Sequence, residues 1–236
     1  MDIFLDRKFR LPRIWSNQEL DKFAHLFGGD VANVSAWKDE DKQGGKYRDY
    51  FSQARSYTIT NYKHEAMGFQ GVEGEIFLDL TAELPQEFIG KFDTVFNHTV
   101  LEHIYDVKKA FANLCLMSRE AVIIVVPFLQ QMHTDYGDYW RFTPLNIESM
   151  FKEQGWNLQY LSFNEEAKAS VYIFAIAVKD KLKWQGMVPD SIKMTSRKKT
   201  LDGFEPMAGC RAIGNLPYTI KRVAADVYGK LRRLGK

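Results

Sequence analysis

Two polar clusters follow the apolar runs within Phe92–Gly155, and each holds side chains able to move protons or bind anions. The first, Asn97-His98 with Glu102-His103, follows the apolar run Phe92-Asp93-Thr94-Val95-Phe96. The second, His133, Asp135 and Asp138-Tyr139-Trp140-Arg141-Phe142-Thr143-Pro144, follows Ala121–Phe128. A neutral imidazole or a carboxylate within hydrogen-bond reach of a hydroxyl can serve as general base. An arginine fork fits a carboxylate or a phosphate. Arg141 can equally pair with Asp138 or Glu102 as a clamp. Trp140 and Phe142 read as loop packing, and Glu102 and His103 as a hydrogen-bond network at a helix start. No Walker loop, no nucleophile elbow and no His/Cys set at metal-ligand spacing is present, so no metal site is expected.

These clusters need elements to hold them. Ala121–Phe128 is continuously apolar and rich in β-branched residues, the pattern of a strand buried on both faces. Between the two strands, Asp106 can cap a helix with Val107, Ala110, Phe111, Leu114 and Cys115 on its apolar side. Thr143 before Pro144 is an N-cap followed by proline at the first helical position, and that helix should stop at Gly155. The result is a strand–helix–strand unit with functional groups beyond the strand ends, where open α/β sheets bind ligands.

Further strands are expected at Val31–Ala36, Ser56–Tyr62, Glu75–Leu80, Asn157–Phe163 and Val171–Val178, and a short helix in Tyr47–Ala54. Ser16-Asn17-Gln18-Glu19 has the form of a capping box, which predicts a helix starting near Asn17. Trp37–Tyr47 reads as a loop, its charged run Lys38–Lys42 as solvated. Seven strands with intervening helices predict an α/β doubly wound, mostly parallel sheet with helices on both faces.

The net charge of +2 conceals an asymmetry. Residues 181–236 carry thirteen Lys/Arg and four Asp/Glu, a surplus of +9 that leaves −7 for the remainder. The expected division is an α/β domain over 1–180 and a basic extension over 181–236. Within the extension, Tyr218–Leu234 has a helical period with Ile220, Val223, Ala224, Val227, Leu231 and Leu234 on one side. Docking of that side on the domain is the favoured reading, and a peripheral membrane contact is the other. No apolar run approaches the roughly 20 residues that span a bilayer. The first six residues lack the pattern of a signal peptide. Cys115 and Cys210 suggest no disulfide framework, which makes a reducing cytoplasm the expected compartment.

The stretch Phe92–Gly155 resembles the class I S-adenosylmethionine-dependent methyltransferases, in particular the methyltransferase type 11 group. The resemblance rests on Phe92-Asp93, Val95, Val100-Leu101-Glu102-His103 and Asp106, then on Val126-Pro127-Phe128, His133 and Asp138 through Pro144. Strand order extends it more weakly over Val31–Leu80. It implies a Rossmann-like sheet with a reversed last strand and a cofactor, S-adenosylmethionine, held by the loops after strands one to four. The cofactor-binding candidates it implies are Ser35 and Ala36 after the first strand, Asn61 after the second, Asp79 and Leu80 after the third, and Asn97 and His98 after the fourth. Two positions depart from the family pattern. Asn33–Trp37 replaces the usual glycine-rich turn, and Asn61 stands where a carboxylate would bind the ribose; Asp39, Glu40 or Asp41 could fold back to serve it.

For methyl transfer the resemblance implies that the protein mainly positions a nucleophile against an already activated cofactor. His133 is the expected base, Asp135 its orienter or alternate, and Tyr139 and Arg141 bind an anionic or sugar-like acceptor. The predicted function is methyl transfer to a small molecule or glycan precursor. A scaffold that keeps the fold without turnover is the rival that the altered first loop and Asn61 favour. Nucleic acid is not the expected partner, since no aromatic-basic recognition motif appears.

Overall fold

The computed structural model describes residues 10–63, 68–133, 137–167, 169–196 and 205–213, together with 220–221, 223–225, 227–228 and 231–232. The strands are β1 (Gly29–Val34), β2 (Ala54–Asn61), β3 (Glu75–Phe77), β4 (Phe92–His98), β5 (Ser118–Leu129), β6 (Asn157–Phe163), β7 (Val171–Val178) and β8 (Ser191–Ile192). The helices are α1 (Leu11–Asp21), α2 (Tyr47–Tyr50), α3 (Val107–Met117), α4 (Pro144–Glu153) and α5 (Lys181–Trp184). They build one mixed sheet of order β3-β2-β1-β4-β5-β7-β6-β8. Every neighbouring pair is parallel except those of β7, which runs against β5 and β6. The seven expected strands become eight because the two-residue β8, from beyond residue 180, pairs with β6. Two residues carry too little periodicity to be legible as a strand.

The apolar run of β5 is explained by two cores, one on each face. Val122, Ile124 and Val126 join Phe111, Leu114, Ile147 and Phe151 beneath α3 and α4. Ala121, Ile123 and Val125 join Leu20, Phe23, Phe27 and Trp184 beneath α1 and α5. β7 alternates in the same way. Each such buried Val or Ile contributes about 1.5–3 kcal/mol relative to exposure. The caps of α3 and α4 form as expected, Asp106 accepting from the Lys109 amide and Thr143 from the Asn146 amide. At the opposite, amino end of the sheet, Gly29 takes φ 75° with the Asp93 carboxylate packed over it, and a Cβ there would meet Asp93 Oδ2 at 2.2 Å.

The expected start of the first helix is corrected. α1 begins at Leu11, with Pro12 in its first turn, so Ser16, Asn17 and Glu19 lie inside it. All three are buried and bond to other elements: Ser16 to His98, Asn17 to the Asp41 carbonyl, and Glu19 to the Tyr160 hydroxyl. What has the form of a capping box is a polar seam between the helix and the sheet. Docking of the terminal helix is not seen either. The described residues of 220–232 are helical, and Ile220, Val223, Val227 and Leu231 are exposed.

Trp184 is 4% exposed and its ring lies 4.7 Å from that of Phe27. Trp184→Ala should therefore cost about 3–5 kcal/mol, measured as a lowered urea midpoint. An unchanged midpoint would show that this segment lies outside the cooperative unit.

Candidate functional site

The carboxyl ends of β1 to β5 meet α1 and the loop after β5 in one polar region. Its hinge is Arg13, from the first turns of α1. The guanidinium donates to the Tyr47 hydroxyl at 3.0 Å and to Thr99 Oγ1 at 2.8 Å, and approaches His98 Nδ1 at 3.2 Å. Ser16 gives its proton to the Arg13 carbonyl and lies 2.9 Å from His98 Nε2. His98 must then donate from Nε2 and accept at Nδ1, which is a neutral ring. Burial, then the charge of Arg13, holds its pKa well below the usual imidazole value. Arg13 forms an ion pair with no described carboxylate; its partners are neutral. Thr99, the residue that turns out of β4, has φ 51°, a backbone state that costs energy and gathers at functional sites.

The loop after β1 is knitted into the sheet. Trp37 N–H donates to Asn61 Oδ1 at 2.6 Å, and Asn61 Nδ2 donates to the Trp37 carbonyl at 3.0 Å and to Glu75. Ser35 N–H and Ala36 N–H donate to the side chain and carbonyl of Thr60. Asp39 is buried and accepts from Asn33, the Arg48 amide and the Tyr57 hydroxyl. Asp41 is buried and accepts from the Gln43 and Gly45 amides and Tyr50. The charged run is thus not simply a solvated loop, since two of its three acids are internal ties. Glu40 stays exposed and pairs with Lys42. Ser35, Trp37, Asp39 and Lys42 all adopt positive φ without glycine.

The sequence-predicted cofactor residues separate accordingly. Ser35, Ala36, Asn61, Asp79, Leu80, Asn97 and His98 all lie at or just beyond strand ends, but several are already committed. Asn61 and His98 spend their side chains on the protein itself. Leu80 is buried in the core, with Asn113 donating to its carbonyl. Asp79 is partly exposed; burial acts against its charge, but Thr81 and the Tyr62 hydroxyl outweigh it and hold its pKa below the usual carboxylate value. Asn97 is fully buried, its Nδ2 donates to the Val34 carbonyl at 2.9 Å, and its Oδ1 has no partner.

The second polar cluster is a pinned loop. Arg141 donates to both oxygens of Asp138 and to the carbonyls of Gln130, Gln131 and Trp140. A guanidinium has five N–H donors, so this fork is saturated and acts as a clamp, leaving no donor for an acceptor. The same contact outweighs burial, which acts the other way, and pulls the Asp138 pKa down to about 2. Trp140 Nε1 donates to the Ile104 and Tyr105 carbonyls, and the Tyr139 amide to the Glu102 carbonyl. Tyr139 is exposed, its ring 5.4 Å from that of Tyr105. Asp135 lies outside the described residues.

His133 meets His103 and Glu102. The two imidazole rings are 5.1 Å apart, and one ligand-capable atom from each of the three residues lies within 4.8 Å of the others. Glu102 is 0% exposed, neither carboxylate oxygen has a hydrogen-bond partner, and burial pushes its pKa up to about 8. Sequence reasoning left Arg13 unread, although it is the only charge between Leu11 and Gln18. It likewise gave Glu102 and His103 a purely structural part, because their meeting with His133 depends on the tertiary turn of the loop.

The strand order and reversed β7 define the Rossmann-like fold of class I methyltransferases. No protein-family model and no curated protein matches the chain. Solved structures do. A candidate methyltransferase from Bacillus halodurans C-125 superposes with TM-score 0.51 at 12% identity, covering 69% of this chain and 97% of that one. A candidate methyltransferase in complex with the Trm112 methyltransferase activator of Haloferax volcanii gives 0.53 at 10% identity, over 74% and 92%. The cyclase SpnF gives 0.51 at 10%, over 71% and 80%. At these identities the likeness concerns the fold.

Asn61→Asp would place the acid of the family pattern against Glu75 and the Trp37 carbonyl. It should lower stability by about 1–3 kcal/mol, measured by thermal unfolding near neutral pH. A raised melting temperature would show that the amide ties described above are not formed.

Proposed function

We propose that the chain transfers a methyl group from S-adenosylmethionine to a small-molecule or glycan-precursor acceptor. The observation that carries this reading is the set of unmet groups at the carboxyl end of β4. Asn97 Oδ1 is a buried acceptor without a donor, and Arg13 a cation with no carboxylate partner among the described residues. Leaving such groups unmet is costly, and a ligand bearing an ammonium and a carboxylate meets both needs. Asp79 stands beyond β3, three strand spacings or roughly 14 Å away, an ionised acceptor suited to an adenine amino group. The residues therefore fit the two ends of this cofactor, while the ribose would be served by backbone groups or by Glu40. When bound, the cofactor supplies a methyl group on a positively charged sulfur. Tyr139 and the Glu102–His103–His133 cluster form the acceptor side, where an acceptor hydroxyl would lose its proton. Asp135 is proposed as an accessory to that cluster. The type 11 group is the proposed subfamily, on the residues of Phe92–Gly155. The cytoplasm is the proposed compartment, and the basic extension 181–236 lies outside the chemistry.

A second reading, a non-catalytic member of the fold, is favoured by one observation. Asn61 and the loop after β1 satisfy one another without a cofactor. Calorimetric titration separates the two. Micromolar binding of S-adenosylmethionine and S-adenosylhomocysteine is expected, weakened about tenfold or more by Asp79→Ala. No heat of binding from protein shown to be folded would leave the non-catalytic reading standing.

A further inference from the structure

Burying a carboxylate with both oxygens unmet is among the costliest arrangements a protein can hold. Glu102 is in that state, fully enclosed, and the imidazoles of His103 and His133 each bring a nitrogen to within 4.8 Å of it. His103 Nε2 lies 3.8 Å from Glu102 Oε1. The other nitrogen of that ring, Nδ1, faces the Gly137 carbonyl at 2.5 Å and must donate to it. His133 has its Nδ1 3.3 Å from Asp138 Oδ2. A backbone carbonyl behind one histidine and a carboxylate beside the other is the support that metal-ligating imidazoles ordinarily have.

We infer that Glu102, His103 and His133 form a binding site for a single divalent d-block cation, such as Zn2+, Co2+ or Mn2+. Two imidazoles and one carboxylate suit this class of ion and leave coordination positions open. Metal–ligand bonds of about 2.1 Å bring the donor atoms to roughly 3–4 Å from one another, a modest contraction of the spacing present. Charge favours the ion as well. Asp138 is already engaged by its paired contact with Arg141, so Glu102 is the carboxyl group left to the cation, which would take it as a carboxylate in exchange for its proton. The site is graded in access: the side chain of Glu102 is 1% exposed, that of His103 12% and that of His133 28%. The open positions thus face outward, toward the acceptor side. This assignment deepens the proposed function only in placing the ion where an acceptor hydroxyl would bind; the site itself does not depend on methyl transfer.

The test uses the tag-free full chain, stripped with chelator and titrated with Co2+ alone and with Zn2+ alone, in the absence of any cofactor. The expected result is one equivalent bound, a visible Co2+ d–d band that Zn2+ abolishes, and a raised melting temperature. Glu102→Gln, which keeps the shape of the buried side chain, and His133→Ala, on the more accessible loop, should each weaken binding at least tenfold while remaining folded by circular dichroism. Should Glu102→Gln fail to fold, His133→Ala carries the test. Absence of a band and of stoichiometric binding in the wild type overturns the assignment, as does binding that His133→Ala leaves unchanged. Neither result bears on the calorimetric titration with S-adenosylmethionine, so failure of the metal site and failure of the methyltransferase reading are distinguishable.

Discussion

The contact between Arg13 and the His98–Thr99 step is the joint on which the functional end of the molecule depends. It fastens α1 across the carboxyl end of β4, fixes the tautomer of His98 through Ser16, and holds Thr99 in its left-handed turn. The chain then leaves β4 toward Glu102 and His103. Without this joint α1 and the turn after it would still have the apolar seam of Leu20, Phe23 and Phe27, but the first turns of the helix would lose their charged tie to the end of β4. A guanidinium is suited to the task because it remains charged and spreads rigid donors over several partners.

The carboxyl edge of the sheet is otherwise a balance between groups the protein satisfies for itself and groups it leaves open. The loop after β1 satisfies Asn61, Asp39 and Asp41 internally, and the clamp of Arg141 on Asp138 does the same for the loop after β5. Among the described residues, those left without a partner there include Asn97 Oδ1, Gln130 Oε1, His133 Nδ1 and both oxygens of Glu102, and Arg13 has no described carboxylate opposite it. Function on this fold resides in such remnants rather than in the sheet. The same architecture occurs in candidate methyltransferases and in a cyclase, so the fold alone does not select the reaction.

Much of the architecture was legible in the sequence because burial leaves a local signature. The two-faced apolar run of β5, the bounds of β6 and β7, and the caps Asp106 and Thr143 all follow from residue type and spacing. The misses share a different physical origin. Ser16 and Glu19 carry the local pattern of a cap, but their partners, His98 and Tyr160, are distant in the chain, and tertiary bonding overrode the local preference. Arg141 reads as an anion binder until its five donors are counted against carbonyls that only the folded loop presents. The cluster of Glu102, His103 and His133 spans two loops, and no spacing rule reports such a meeting. Asn61, read as a weakened ribose ligand, has its buried amide bonded to Trp37 and Glu75, partners that no local pattern announces.

The central claim is that a ligand site lies across the carboxyl ends of β1 to β4, bounded by the Arg13 joint. Hydrogen–deuterium exchange with and without S-adenosylhomocysteine tests it most directly. The account predicts slowed exchange on ligand addition in the segments around Ser35–Gly45, Asp79–Thr81 and Asn97–His103, with the amino ends of the strands unchanged. Saturable binding that leaves all three segments unaltered would contradict it.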